Sequence, residues 1–141
     1  MSFILHDLVK EGMTGEATLI VADEHTAPRI GSGKVHVLAT PVMINLFEAA
    51  ALAACEHLLP AGYQSLGTVL DIRHIAATPV GMRVTARARV SGVEGRTIRF
   101  TLEAFDEIEL IGDGRHERVV VHVERFDERV KKKLDHLPGA R

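Results

Sequence analysis

The clearest hydrophobic pattern in the chain is a helical stripe between residues 40 and 58. Apolar side chains recur there at i, i+3 and i+4 spacing, and the flanking positions, such as Leu52, are also largely apolar. The pair Thr40-Pro41 is typical of a helix start, with the Thr40 hydroxyl as N-cap. The pattern therefore predicts a helix from Val42 to about Leu58 that is buried on nearly all sides. The stripe consists of Met43, Leu46, Phe47, Ala50, Ala51, Ala54 and Leu58.

Two-residue alternation dominates the other apolar segments and predicts strands. A Gly-Asp-Gly sequence at 112–114 predicts a turn before the last strand, and Phe126–His136 predicts a short amphipathic helix. Residues before Gly15 are expected at the periphery, and Asp23–Gly33 is expected to be a loop. The predicted strands are Ala17–Ala22, Ser65–Thr78, Met82–Val93, Arg96–Asp106 and Arg115–Arg125.

The order of these elements predicts the fold class. One strand is followed by a long helix and then by four strands whose short connections favour antiparallel neighbours. Such a sheet has to curl round the apolar helix to cover it, which is an α+β arrangement known as the hot-dog fold. One sheet cannot cover every side of the helix, so we expect a homodimer, and dimers can pair further into a tetramer. Residues 1–141 are predicted to be a single domain, with about 126–141 as a C-terminal helix and tail.

The composition is that of a globular domain and disfavours nucleic-acid-binding and membrane proteins. The chain has 141 residues, of which 46% are hydrophobic and 26% charged, as in an ordinary globular domain. A net charge of −2 and an aromatic content of 4% disfavour nucleic acid as a partner. No signal-peptide pattern or long apolar run is present, so we predict a cytoplasmic protein without a membrane partner. The one cysteine, Cys55, lies in an apolar run and is predicted to be a core residue.

Glu48 is a charged residue within the otherwise apolar helix. It is the only formally charged residue between Lys34 and Cys55, and its helical neighbours at i−4 and i+4 are Ile44 and Leu52. Burying an unpaired carboxylate is costly, and carboxylates in such surroundings cluster at functional sites. The residues alone leave two interpretations open, a structural carboxylate with a buried partner and a catalytic one.

His74 and Thr40 are the other two candidates for chemistry. Alternation along Leu66–Ala76 places His74 on the more apolar, even-numbered face, which should face the helix, although a core or rim histidine fits as well. Thr40 and Glu48 are eight residues apart, which is roughly 12 Å along a helix axis. A joint site therefore needs substrate between them or a second subunit that supplies one of them.

Metal chemistry is weakly supported. The chain has eight histidines but no HExxH sequence, and His116 and His122 are about 20 Å apart along one strand. We therefore predict no metal site and no separate cofactor.

Four segments resemble the fluoroacetyl-CoA thioesterase family of hot-dog proteins. The resemblance implies a dimeric enzyme that hydrolyses an acyl-CoA, so that coenzyme A is part of the substrate. It also implies that Thr40, Glu48 and His74 are catalytic and that Gly67 and Arg118 bind substrate. The segments are LATPVMINLFEAA at 38–50, SLGTVLDIRHIAATPVG at 65–81, SGVEGR at 91–96 and GDGRHERVVVHVERF at 112–126.

One region departs from the family pattern, in which a longer, aromatic-rich lid precedes the catalytic threonine. The corresponding segment, His25–Leu38, is short and contains no Phe, Tyr or Trp. We therefore predict hydrolysis of a short-chain acyl-CoA without selectivity for the fluoroacetyl group. Two alternatives stay open, a non-catalytic acyl-CoA-binding module and a hot-dog enoyl-CoA hydratase or dehydratase that uses Glu48 and His74.

Overall fold

A computed structural model of the chain describes residues 2–139, so Met1 and the last two residues of the predicted tail lie outside the described residues. The helices are α1 (Leu5–Leu8), α2 (Ala27–Ile30), α3 (Thr40–Cys55) and α4 (Val123–Lys131). The strands are β1 (Thr14–Ile20), β2 (Tyr63–His74), β3 (Arg83–Glu94), β4 (Thr97–Phe105) and β5 (Leu110–His122). Short 3-10 turns cover Asp23–His25, Glu56–Leu58 and Lys132–His136.

The five strands form one antiparallel sheet in the order β1-β3-β4-β5-β2, which leaves β2 and β1 at its edges. The alternating apolar positions of β3 are buried against α3, as the sequence pattern predicts. The predicted hot-dog arrangement, an antiparallel sheet curled round one long helix, is confirmed. These buried β3 side chains are Val84, Ala86, Ala88 and Val90.

The buried face of α3 follows the predicted stripe, and its small residues let β1 come very close. A Cβ atom on Gly15 of β1 would lie 2.3 Å from the Ala50 carbonyl oxygen, so only glycine fits there. The opposite side of α3 stays exposed, including Asn45, Ala49 and Leu52. Burial of this helix within one chain is therefore incomplete. The fully buried members of the stripe are Met43, Phe47, Ala50, Ala51 and Ala54.

A bulge in β2 changes which residues face the helix. The pairing of β2 with β5 shifts between Gly67 and Val69, which moves the inward face from odd to even positions. Before the bulge Gly67 lies against α3, and after it Ile72 and His74 point inward. The predicted even-numbered face is therefore correct for His74 but wrong for Leu66, which is 38% exposed.

The predicted Gly112–Gly114 turn is wrong, since both glycines lie within β5. The chain reverses earlier, where the Asp106 carboxylate accepts hydrogen bonds from the backbone N–H groups of Ile108 and Glu109. Gly112 is needed for packing, because a Cβ atom there would lie 2.7 Å from Met43 Sδ.

Three further boundaries differ from the predictions. The first residues are not peripheral, since Leu5 and Val9 are each 1% exposed and belong to the core. The predicted loop Asp23–Gly33 contains a 3-10 turn and α2. Helix α4 begins three residues before Phe126, where His122 Nδ1 accepts the Arg125 N–H at 3.4 Å and caps the helix.

Candidate functional site

Thr40 does not cap α3 and is bonded to His74 instead. The extended residue before the helix is Ala39, whose N–H is tied to the His25 carbonyl, and Thr40 is already helical. The predicted N-cap role is therefore wrong. The Thr40 hydroxyl oxygen lies 2.7 Å from His74 Nδ1, across from the end of β2, and Thr40 remains exposed to solvent.

The surroundings of His74 disfavour the charged form of its ring. Burial lowers the pKa of His74, and the backbone of Ala76 opposes that shift only in part. Nε2 is buried and has no hydrogen-bond partner among residues 2–139. The ring nitrogen that can accept a proton from outside is therefore Nδ1, and it faces the Thr40 hydroxyl.

A cleft of about 320 Å³ opens beside this pair, which is enough for a small ligand. One wall is the Thr40–His74 pair and the chain that follows β2, and the other is the segment His25–Leu38, called the lid segment below. Lys34 stands on the lid wall. A bridge between Thr26 and Leu38 closes the base of the lid segment.

A second cluster lies further along α3 around Glu48. Its Oε2 atom is 3.3 Å from Arg118 Nη1, and a Cβ atom on Gly67 would lie only 2.7 Å from the same oxygen. The Glu48 side chain is 36% exposed, whereas that of Arg118 is 7% exposed. The carboxylate is thus held from the buried side and open on the other.

Arg118 is held in place by Ser65 as well as by Glu48. Its Nε donates to Ser65 Oγ at 2.7 Å, and its Nη2 donates to the Ser65 carbonyl at 3.0 Å. Glu56, at the end of α3, in turn accepts from the Ser65 N–H and hydroxyl. Most of the guanidinium donors are therefore occupied within the chain, so Arg118 positions Glu48 in this structure.

His116 is the remaining member of this cluster. The sequence analysis did not predict it as a site residue. It is fully buried, and its Nε2 lies 3.2 Å from Arg118 Nη1, which can only donate. The ring proton therefore sits on Nδ1 and is donated to the Val69 carbonyl at 2.7 Å. Burial lowers the pKa of His116, Val69 opposes this, and Arg118 lowers it further. The signal was the spacing of His116 and Arg118, two residues apart on one face of a strand.

The structure thus brings the predicted site residues together in two groups. Thr40 contacts His74, and Glu48 contacts Arg118 and Gly67. Within one chain the structure does not bring Glu48 to His74, because Glu48 lies two turns further along α3.

Replacing Arg118 with methionine should destabilise the protein by about 2–4 kcal/mol. The change leaves a partly buried Glu48 carboxylate and the Ser65 carbonyl without their donor. The midpoint of urea unfolding should fall while the m-value stays unchanged. The matched control is Arg115→Met on the same strand, whose exposed pair with Asp71 is worth less than about 1 kcal/mol. Equal losses in both variants would contradict the buried network.

The described residues give little support for a metal site or for a reactive cysteine. No cluster of three or more His, Cys, Asp or Glu side chains within residues 2–139 is arranged to hold a metal ion. Cys55 is buried, as predicted, and burial raises the pKa of its thiol to about 11, so it stays protonated. None of the helices in this range is long and apolar enough to span a membrane. The cytoplasmic location stays a prediction.

Comparison with known proteins shows the family of the chain. The model of the fluoroacetyl-CoA-specific thioesterase family, FlK, matches residues 21–124, which is well over half of the chain. The chain belongs to this family. A curated relative, the fluoroacetyl-CoA thioesterase of Streptantibioticus cattleyicolor, is 42% identical over 97 residues, 69% of this chain and 70% of the relative.

Solved structures of FlK and of a thioesterase superfamily member share the fold over most of their length. A variant of FlK in complex with acetyl-CoA superposes with a TM-score of 0.82 at 33% identity, covering 89% of this chain and 98% of that one. A hypothetical protein of Thermus thermophilus, a thioesterase superfamily member, gives a TM-score of 0.82 at 30% identity and covers 92% and 98%.

Proposed function

We propose that this chain hydrolyses a short-chain acyl-CoA to the free acid and coenzyme A, without selectivity for the fluoroacetyl group. The observation that carries the proposal is the hydrogen bond between Thr40 and His74 on the wall of a cleft of ligand size. Membership of a thioesterase family gives the reaction class. The relative that holds acetyl-CoA shows that such a fold accepts a short acyl thioester.

The chemistry begins with the Thr40 hydroxyl. His74 Nδ1 takes its proton while Oγ1 attacks the thioester carbonyl carbon, and the C–S bond breaks. The proton passes to the departing coenzyme A thiolate, and water then hydrolyses the acyl-threonine ester. Because Nε2 is buried and Nδ1 lies 2.7 Å from the Thr40 hydroxyl oxygen, His74 is placed to take the proton of that hydroxyl.

A homodimer would unite the two groups of residues. The outer edge of β2 has no strand beside it among residues 2–139, and Leu66 and Leu70 on it are 38% and 37% exposed. A two-fold axis at this edge pairs β2 with its copy in antiparallel fashion, so that the C-terminal half of one strand lies beside the N-terminal half of the other. His74 would then lie near Gly67 and Glu48 of the partner subunit. The exposed side of α3 would be covered in the same assembly.

In that arrangement each residue has a role in the reaction. The N–H of Gly67 of the partner subunit can bind the developing oxyanion, and a glycine leaves room for a substrate beside it. Glu48 of the partner subunit can orient the attacking water in the second step. Arg118 holds that carboxylate in place by donating to it.

The lid segment is the basis for the acyl selectivity in this proposal. Selective recognition of one fluorine needs close, rigid walls, and the lid segment has no Phe, Tyr or Trp to supply them. In a hydrolysis panel of acetyl-, propionyl- and fluoroacetyl-CoA, kcat/KM should be at most about tenfold higher for the fluorinated substrate, a difference of about 1.4 kcal/mol. A preference above a hundredfold would refute the lack of selectivity. Absence of hydrolysis throughout the panel, with hydration of an enoyl-CoA, would refute the thioesterase itself.

The pH dependence should reveal a base with a depressed pKa. Burial lowers the pKa of His74, so the neutral, proton-accepting ring persists below the ordinary imidazole value of about 6.5. On lowering the pH, kcat/KM should stay level through that value and fall only when His74 becomes protonated. A pH profile of kcat/KM for acetyl-CoA measures this, with urea unfolding at each pH as the control for folding. An acid limb centred above pH 7 would contradict the role of His74.

A further inference from the structure

A second cleft lies at the start of β2, away from the Thr40–His74 pair. Its volume is about 290 Å³, and arginines from two different elements converge on it. Arg96 comes from the β3–β4 turn, whereas Arg125 and Arg129 come from α4. We call it the arginine cleft. Its lining residues are Tyr63, Arg96, His122, Arg125, Glu128 and Arg129.

The arginine cleft carries an excess of positive charge. Within residues 2–139, no carboxylate lies within the 4.0 Å ion-pair distance of its three guanidinium groups, although Glu128 is part of the lining. Some exposed arginines of the sheet do pair, for instance Arg73 with Asp113. Three guanidiniums against one carboxylate leave a net charge of about +2 beside open solvent, which favours an anionic ligand.

Backbone geometry fixes how far the cleft lies from the acyl site. Tyr63 is the first residue of β2, and Gly67, which lies against Glu48, is four residues further along. At about 3.3 Å per residue this separation is about 13 Å. An extended pantetheine arm, which joins the thioester of an acyl-CoA to its diphosphate, spans a comparable distance.

We propose that the arginine cleft binds the nucleotide phosphates of the coenzyme A whose acyl group reacts near Glu48. This inference rests on the proposed thioesterase function. Guanidinium groups bind phosphate oxygens in a bidentate manner, and they are the side chains best suited to it. The ring of Tyr63, packed edge-on against Phe3 and His122, gives the cleft one firm apolar wall.

Another cation beside a cleft is Lys34, in the GSGK sequence of the lid segment. It is exposed and lines the cleft next to Thr40. A single ammonium gives a weaker and less directional phosphate site than three guanidiniums. Lys34 is therefore the natural comparison in a test of where the phosphates bind.

The test measures steady-state hydrolysis of acetyl-CoA and acetyl-pantetheine by Arg96→Gln, Arg125→Gln and Lys34→Met. We expect each arginine change to raise KM for acetyl-CoA about tenfold with kcat unchanged, and to leave acetyl-pantetheine, which lacks the phosphates, unaffected. Lys34→Met should leave both substrates unaffected. Acetyl-dephospho-CoA distinguishes the 3′-phosphate from the diphosphate, because it lacks only the former. Arg83→Gln, at the far end of β3, is the matched control.

Two results would overturn the proposal. One is an unchanged KM for acetyl-CoA in both arginine variants, and the other is an equal rise for acetyl-pantetheine. Binding of free coenzyme A, measured by titration calorimetry, separates this inference from the proposed reaction, since it needs no turnover. If the wild-type protein binds coenzyme A through Arg96 and Arg125 but hydrolyses no acyl-CoA, the proposed phosphate site stands and the proposed thioesterase function is refuted. If the protein hydrolyses acetyl-CoA but its binding of coenzyme A depends on Lys34 alone, the thioesterase function stands and the arginine cleft is refuted as the phosphate site.

Discussion

The His74→Ala variant should hydrolyse acetyl-CoA with a kcat/KM about 10²–10⁴-fold below that of the wild type, the usual contribution of a positioned general base. Its imidazole is the only group bonded to the Thr40 hydroxyl among the described residues. Without it the hydroxyl stays protonated and is a weak nucleophile. The loss should appear mainly in kcat, since neither side chain is needed to hold coenzyme A.

Thr40 provides the companion experiment. Thr40→Ala should lose activity to a similar extent, whereas Thr40→Ser keeps the hydroxyl and should retain most of it. Because the two side chains act as one unit, the Thr40→Ala, His74→Ala double variant should be little worse than either single variant. His6→Ala, an exposed histidine in α1, is the control. Multiplicative losses in the double variant would contradict a shared step, and wild-type activity in folded single variants would contradict the site itself.

Mixing two inactive variants should restore activity if the site is shared between subunits. Glu48→Gln removes the carboxylate of one group, and Thr40→Ala removes the hydroxyl of the other. In a heterodimer of the two, one site receives both lesions and the other receives neither. With random pairing about half of the dimers are mixed, so the mixture should recover roughly a quarter of wild-type activity.

The measurement needs subunit exchange, which co-refolding from urea or co-expression provides. Each variant refolded alone gives the background, and light scattering gives the oligomeric state. His74→Ala mixed with Thr40→Ala is the matched control, because both lesions fall in the same group and should not complement. No recovery in a mixture shown to contain mixed dimers would place Glu48 and Thr40 in one chain's site, or leave Glu48 without a role.

The features that the sequence predicted well depend on local periodicity. The stripe of α3 was visible because helical spacing places Met43, Phe47 and Ala50 on one face whatever surrounds them. The alternation of β3 and the short turns after it likewise led to antiparallel neighbours and so to the hot-dog fold. The single charge of Glu48 in an apolar helix indicated a candidate site residue.

The predictions that failed depend on contacts distant in sequence. The hydroxyl of Thr40 has two possible partners, a backbone N–H in its own helix and the imidazole of His74, 34 residues away. Its choice follows from how β2 lies against α3. The bulge after Gly67 and the extended path through Gly112 are likewise set by pairing and by packing against Met43, which periodicity does not report.

By itself the sequence determined the architecture and singled out Thr40, Glu48 and His74, because apolar spacing and residue type are properties of the chain alone, whereas Gly67 and Arg118 were implied only by the family resemblance. Only the tertiary structure decided how those side chains are grouped. In the folded chain Thr40 is hydrogen-bonded to His74, and Glu48 is hydrogen-bonded to Arg118. The buried His116 lies beside Arg118, and its neighbours set its tautomer. The physical reason is that a hydrogen bond forms between groups that folding brings within about 3 Å, and that distance is fixed by strand register and helix packing across the whole domain.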